Sequence, residues 1–281
     1  MLYIVCQSSV HLAFTIAQPL TGSLAQVREL TVMTLNVRQP DQDDGANNWE
    51  NRRDLLIGVV REAVPDLIGT QELFTLQAEY ILANLPGYAW IGTGRFGDSR
   101  DKHVGIFYRR GRLRPLSCGD FWLSETPETP GSSSWDIIRP RQVTWGHFEV
   151  SNGQSFHHFN THFPYRKVEQ EARRRTAALL QTRAGELNPV VLTGDFNSPT
   201  DGEIYRKMAE TFQDAWLTAK QRSGPEGTLN GFGRTSEPRR IDWILYRAPW
   251  KVCAAETIAT TVDGIYPSDH FPVTARFDVS C

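Results

Sequence analysis

The chain has 281 residues, of which 40% are hydrophobic and 22% charged, a composition that excludes a disordered or fibrous protein and allows a sizeable core. Thirty basic against 32 acidic residues give a formal net charge of -2. That balance lacks the basic field with which proteins grip long duplex nucleic acid, and it favours a small molecule or a single strand as partner.

Residues 1–29 are set apart from a single domain over 30–281, because no Gly/Ser/Pro-rich linker or shift in composition divides the remainder. Met1 to Ala25 is largely apolar and closes on Ser23-Leu24-Ala25, small residues of the kind that precede a signal-peptidase cut. No Lys or Arg precedes the apolar run, which favours a cytoplasmic chain over an exported one. Gln18, Pro19 and Gln26 interrupt the only candidate for a membrane span. The four cysteines form no Cys-x-x-Cys pair, which argues against a zinc site, and a disulfide among Cys118, Cys253 and Cys281 stays open for an exported chain.

In chain order, Leu30 to Val37 begins with strand alternation and carries Asn36 near its end. Arg52 to Ala63 places Leu55, Leu56, Val59, Val60 and Ala63 at helical spacing until Pro65 stops it. Asp66 to Gln71 is a short apolar strand that runs into Glu72. Phe121, Trp122 and Trp135 lie among Pro, Gly, Ser and acidic residues, so Gly119 to Arg141 is expected to be an ordered surface loop beside the site. Ser155 to Thr161 leads to His162, and Pro189 to Thr193 leads to Asp195 and Asn197. Between them, Glu169 to Ala184 reads as a helix whose basic run Arg173-Arg174-Arg175 forms a solvated face. Arg240 to Tyr246 alternates as a strand, and Ser268-Asp269-His270 closes the series.

Five apolar segments thus end in Asn, Asp, Glu or His. Carboxylate and amide oxygens are what a hard cation such as Mg²⁺ selects, and histidines beside it can donate to phosphate or move protons. Each piece also has a plainer reading: Asn36 as a turn former, Glu72 as a solvated strand end, Asp242 as a partner for a neighbouring Arg, Ser268-Asp269 as a cap.

Taken in this order, Leu35-Asn36, Gln71-Glu72, Thr161-His162, Gly194-Asp195-Phe196-Asn197, Ile241-Asp242 and Ser268-Asp269-His270 resemble the endonuclease/exonuclease/phosphatase superfamily over Leu30 to Val279. The segment Phe121-Trp122-Leu123-Ser124-Glu125-Thr126-Pro127 is similar to a bacterial branch of it. The resemblance implies an α/β (α+β) four-layer sandwich, two packed mixed or antiparallel sheets flanked by helices, with the site where strand ends converge. It implies divalent-metal-dependent hydrolysis of a phosphate ester, with Mg²⁺ (or Mn²⁺) as cofactor, by a chain expected to act as a monomer. Asn36, Glu72 and Asp269 match metal-site positions. Asp195 matches the residue that orients or deprotonates water, Asn197 one that holds phosphate, His270 the catalytic histidine, Asp242 its orienting partner, and His162 a group that stabilises charge or protonates the leaving group. Where the branch follows Thr-His with Phe/Leu-Asp-His, this chain reads Phe163-Pro164-Tyr165-Arg166, which alters the pocket wall. Asn160, Trp135, Arg139, Arg141 and Tyr165 are candidate substrate contacts, since Arg can fork onto phosphate and aromatic rings can stack. A catalytically silent binding module on the same fold is the rival reading, and the completeness of the residue set argues against it.

Overall fold

The computed structural model of the protein describes residues 28–236 and 238–280. The export-signal reading of residues 1–25 and the cysteines Cys6 and Cys281 lie outside the described residues. No helix among the described residues is long and apolar enough to cross a membrane.

Two sheets carry the fold. The first has seven strands in the order β10 (Gln221–Ser223), β12 (Lys251–Thr257), β13 (Val273–Asp278), β1 (Glu29–Asn36), β2 (Leu67–Gln71), β4 (Ile106–Arg109), β3 (Tyr88–Ile91). The second has six, β5 (Leu113–Trp122), β6 (Gln142–Val150), β7 (Ser155–His162), β8 (Val190–Asp195), β11 (Asp242–Arg247), β9 (Gln213–Asp214). Both are mixed: β1 pairs parallel with β2 and antiparallel with β13, and β8 pairs parallel with β7 and antiparallel with β11.

Period-two alternation sorts the strand side chains into layers. Leu30 and Val32 of the first sheet meet Val191, Ile244, Tyr246, Phe148 and Phe156 of the second in a core between the sheets. Their neighbours Met33, Leu35 and Ile68 face outward against Leu56, Ile57 and Val60 of α1 (Trp49–Ala63) and Ala78 and Ile81 of α2 (Thr75–Asn84). On the far side Phe159, Leu192, Trp243 and Leu245 pack on Ala177 and Leu180 of α3 (Gln170–Ala184) and on Ile204 and Met208 of α4 (Glu203–Ala209). Each buried side chain of this size stabilises the fold by about 1.5–3 kcal/mol, so both sheets are held on two faces. The four-layer α/β sandwich is the architecture that the resemblance implied.

Two sequence expectations change. The stretch Gly119 to Trp122 is the end of β5, not loop, and the loop begins at Leu123; Phe121 is buried against α3, and Trp122 is buried with its Nε1 donating to the Arg95 carbonyl at 2.6 Å. Within the basic run, Arg174 and Arg175 are solvated, but Arg173 is buried and donates to the carbonyls of Pro164 and Arg166, fastening the turn after β7 to α3.

Candidate active site

The layer between the sheets changes character along its length. On β7 the inward side chains are Phe156, His158, Asn160 and His162; on β8 Val191, Thr193 and Asp195; on β1 Leu30, Val32, Thr34 and Asn36. Apolar residues therefore give way to neutral polar ones and then to ionisable ones as the strands approach one end. Register brings the last of these together, with His162 opposite Asp195, Asp195 opposite Asp242, and Asn36 opposite Gln71.

The middle tier is a closed hydrogen-bond network. Asn160 Nδ2 donates to the carbonyls of Thr70 and Gly105 at 2.8 and 3.1 Å, and its Oδ1 accepts from Gln71 Nε2 at 2.8 Å and Thr193 Oγ1 at 3.0 Å. Asn160 is fully buried with all its capacity used, so its assignment as a substrate contact is corrected: it joins one sheet to the other. Gly69 allows the approach, since a Cβ there would fall 2.0 Å from Thr193 Oγ1 and 2.5 Å from Asn160 Oδ1.

At the end of the layer, Asp195 is the hub. Its Oδ1 accepts from the Asn197 amide at 2.9 Å, and its Oδ2 accepts from Asn36 Nδ2 at 3.1 Å and lies 3.3 Å from His162 Nε2 and 3.9 Å from His270 Nε2. Burial raises the Asp195 carboxyl to about 7, with the charge of Asp242 adding to the rise and His270 opposing it. Asp242 Oδ2 lies 2.8 Å from His270 Nδ1 and accepts from Thr228 Oγ1 at 2.5 Å. Burial works against the charged imidazole of His270, but Asp242 and Asp195 outweigh it and hold its pKa well above the ordinary value. His162 is pushed the other way, first by burial and then by the positive charges of Arg141, Lys102 and Arg95. The two histidines of the site thus sit in opposite protonation states at neutral pH.

A second group of oxygens lies on the side of the first sheet. Glu72 follows β2 in a left-handed conformation, φ 60°, which turns its side chain off the strand. Its Oε2 accepts from Lys102 Nζ at 2.8 Å and from the Gln39 amide at 3.3 Å. Burial disfavours this carboxylate, but Lys102 outweighs it and Glu72 is held at about 2. Asp269 is raised by burial, and the charge of Glu72 adds to that rise; its cationic neighbour Arg38 lies 3.9 Å away. Two carboxylates withdrawn from water and close enough to repel, with the Asn36 amide near, form a donor set suited to a hard cation. Asp195, Asp242 and His270 also offer one atom each within 4.8 Å of one another, a buried set able to hold a metal ion.

The remaining candidates divide. Arg141 is buried beside the site, with its guanidinium 5.8 Å from the Tyr165 ring, and Tyr165 is exposed at the rim. Asn197 Nδ2 donates to the Phe163 carbonyl at 3.1 Å. Trp135 donates from Nε1 to Glu125 at 3.1 Å and so braces its own loop, while Arg139 is exposed. Asp242 pairs with His270, and the neighbouring Arg240 pairs with Asp214 at 2.6 Å, so the surface-pair reading of Asp242 is set aside.

Sequence reading missed Arg52, Arg95 and Lys102. Arg52 is fully buried and donates to the carbonyls of Val37, Arg38, Gln39 and Pro267, tying the exit of β1 to the turn that carries Asp269 and His270. A signal existed, because Arg52 lies one turn before Leu56 on the apolar face of α1. Arg95 and Lys102 stand on an irregular segment with no periodicity to mark them.

Comparison with known proteins agrees with this fold. The signature described as the Endonuclease/Exonuclease/phosphatase family matches residues 33–270. A solved structure of an endonuclease/exonuclease/phosphatase from Bacteroides vulgatus is 31% identical, covers 89% of this chain and 98% of its own, and superposes with a TM-score of 0.83. A mannosyl-6-phosphatase from Bacteroides thetaiotaomicron is 33% identical over 88% of this chain and 99% of its own, also at 0.83. An uncharacterised protein of Acanthamoeba polyphaga mimivirus is 27% identical over 276 residues, 89% of this chain and 100% of its own.

Proposed function

The chain belongs to the endonuclease/exonuclease/phosphatase family, and from that premise we propose that it is a divalent-metal-dependent hydrolase of a phosphate ester. The observation that carries the reading is the Asp195 carboxylate held between Asn36, His162 and His270, with His270 anchored in turn by Asp242. The mannosyl-6-phosphatase among the relatives supports a small phosphorylated molecule as substrate.

Asn36, Glu72 and Asp269 would hold Mg²⁺ or Mn²⁺. We favour this set over Asp195, Asp242 and His270, because an ion there would have to displace the 2.8 Å bond between Asp242 and His270. When bound, the ion supplies positive charge to the phosphoryl oxygens.

The chain's own groups supply the rest. Asp195, raised to about 7, takes a proton from the attacking water as the new phosphorus–oxygen bond forms. His270, charged and held by Asp242, gives a proton to the leaving oxygen as the ester bond breaks, so one water is consumed and an alcohol and a phosphate result. Asp195 Oδ2 and His270 Nε2 stand 3.9 Å apart, and proton transfer across that gap restores the starting state. The Asn36 side-chain amide and the Asn197 backbone amide keep the Asp195 carboxylate in place by hydrogen bonds, with His162 beside it.

The test is a panel of phosphate monoesters and diesters assayed with Mg²⁺, Mn²⁺, Ca²⁺ and chelator, on the wild type and on Asp195→Asn. Hydrolysis that depends on the metal and falls by about three orders of magnitude in the variant supports the reading. Hydrolysis indifferent to both chelator and substitution overturns it.

A further inference from the structure

Beside Glu72 and His162, a small cleft is walled by Arg95, Lys102, Pro140 and Arg141. Its cations are not balanced. Lys102 is paired with Glu72 at 2.8 Å. Arg141 is only 7% exposed, yet it makes no hydrogen bond or ion pair with any described residue, its one polar-type contact being the face of Tyr165. Arg95 is 9% exposed, its Nε lacks a hydrogen-bond partner, and its nearest carboxylate, Asp101, is 3.5 Å away.

Burial and mutual repulsion both act against this pair, and Arg141 is lowered to about 10 by burial first and by Arg95 next. Arg141 has no partner among the described residues and the ion pair of Arg95 with Asp101 is long, at 3.5 Å, so the two buried cations are unfavourable together unless an anion completes the arrangement. The carboxylates at hand are already engaged, Glu72 by Lys102 and Asp195 by Asn36 and the Asn197 amide.

We propose that Arg95 and Arg141 are the receptor for the unesterified oxygens of a terminal phosphoryl group, so that the substrate class is the phosphate monoester. The assignment rests on the hydrolase reading above for the fate of the bound group. One observation chooses the monoester over the diester. Two guanidinium forks match a group that carries close to two negative charges at neutral pH, whereas a diester carries one.

The experiment compares wild type, Arg141→Met, Arg141→Lys and Arg95→Met in two ways. The first is kcat/KM for 4-nitrophenyl phosphate and for bis(4-nitrophenyl) phosphate with Mg²⁺. The second is the rise in melting temperature on adding inorganic phosphate, which needs no turnover. The wild type should prefer the monoester, and the preference should fall by about tenfold or more in each Met variant, with partial recovery in Arg141→Lys. Phosphate should stabilise the wild type and lose that effect in the Met variants, whose own melting temperatures show that they fold. A wild type that prefers the diester, or an Arg141→Met protein that keeps both the preference and the phosphate effect, overturns the receptor and leaves the hydrolase standing. A wild type inert to both esters with every metal, yet stabilised by phosphate through Arg141, supports the receptor and overturns the hydrolase. Should Arg141→Met fail to fold, Arg95→Met and Arg141→Lys decide the matter by the same two readouts.

Discussion

Asp242 Oδ2 lies 2.8 Å from His270 Nδ1, although the two residues are 28 positions apart and sit on different sheets' margins. The same oxygen accepts from Thr228, so the carboxylate is fixed from both sides and the imidazole can carry its proton only toward Asp195. The arrangement does for imidazole what the carboxylate of a catalytic triad does. Asp242→Asn should therefore lower kcat by about 10²–10⁴. His270 would lose the main charge that raises it, so the pH above which activity declines should move downward in the variant. A pH–rate profile checks both, and an unmoved alkaline limb would count against the role.

Asp195 pays the opposite cost. Its carboxyl is raised to about 7 by burial, so above the ordinary carboxylate range its ionisation works against folding. Asp195→Asn keeps the shape and removes that charge. The variant should be inactive yet more stable at pH 8, by about 1–3 kcal/mol, as happens when a strained functional group is replaced. Denaturant titration of the metal-free protein measures this, and a less stable variant would show that the carboxylate is needed for structure as well.

Much of this site was legible because strands announce their ends. Asn36, His162, Asp195 and Asp242 each close or open a strand segment, and a period of two places each on the inward face that carries Val32, Phe156, Val191 and Ile244. What alternation could not show is which inward position meets solvent and which meets the other sheet. Asn160 is two residues from His162 on the same face, but one step deeper it faces Gly69 and Thr193 instead of substrate. Arg95 and Lys102 were hidden for another reason, because their place depends on the path of an irregular segment and not on any local preference.

Asn160→Leu tests that distinction. It removes four hydrogen bonds from a dry layer, at about 0.5–1.5 kcal/mol each, although Gln71 Nε2 keeps Thr34 Oγ1 and the Gly69 carbonyl and the Gly105 carbonyl keeps Thr70. The variant should lose about 3 kcal/mol or more of stability, while the fraction that folds keeps a KM near that of the wild type. Gly69→Ala should be damaging by the same route, since its methyl would enter the space of Thr193 Oγ1. A raised KM in Asn160→Leu with stability unchanged would return Asn160 to the substrate contacts.

The same layer should set the acid limit of stability. His158 is fully buried between the sheets, its Nε2 is 2.8 Å from Thr193 Oγ1, and Nδ1 has no partner. Burial alone lowers it to about 3. The unfolded chain binds a proton at this histidine near the ordinary 6.5, whereas the folded chain refuses it until about 3. Its contribution is therefore complete above pH 6.5 and is lost progressively as the pH falls toward 3, by about 1.4 kcal/mol per unit at most. Unfolding free energies of the wild type should decline over that window, and His158→Asn, which cannot take up the proton when unfolded, should decline less steeply. Equal slopes for the two proteins between pH 6 and 4, by urea titration, would show that acid stability is governed elsewhere.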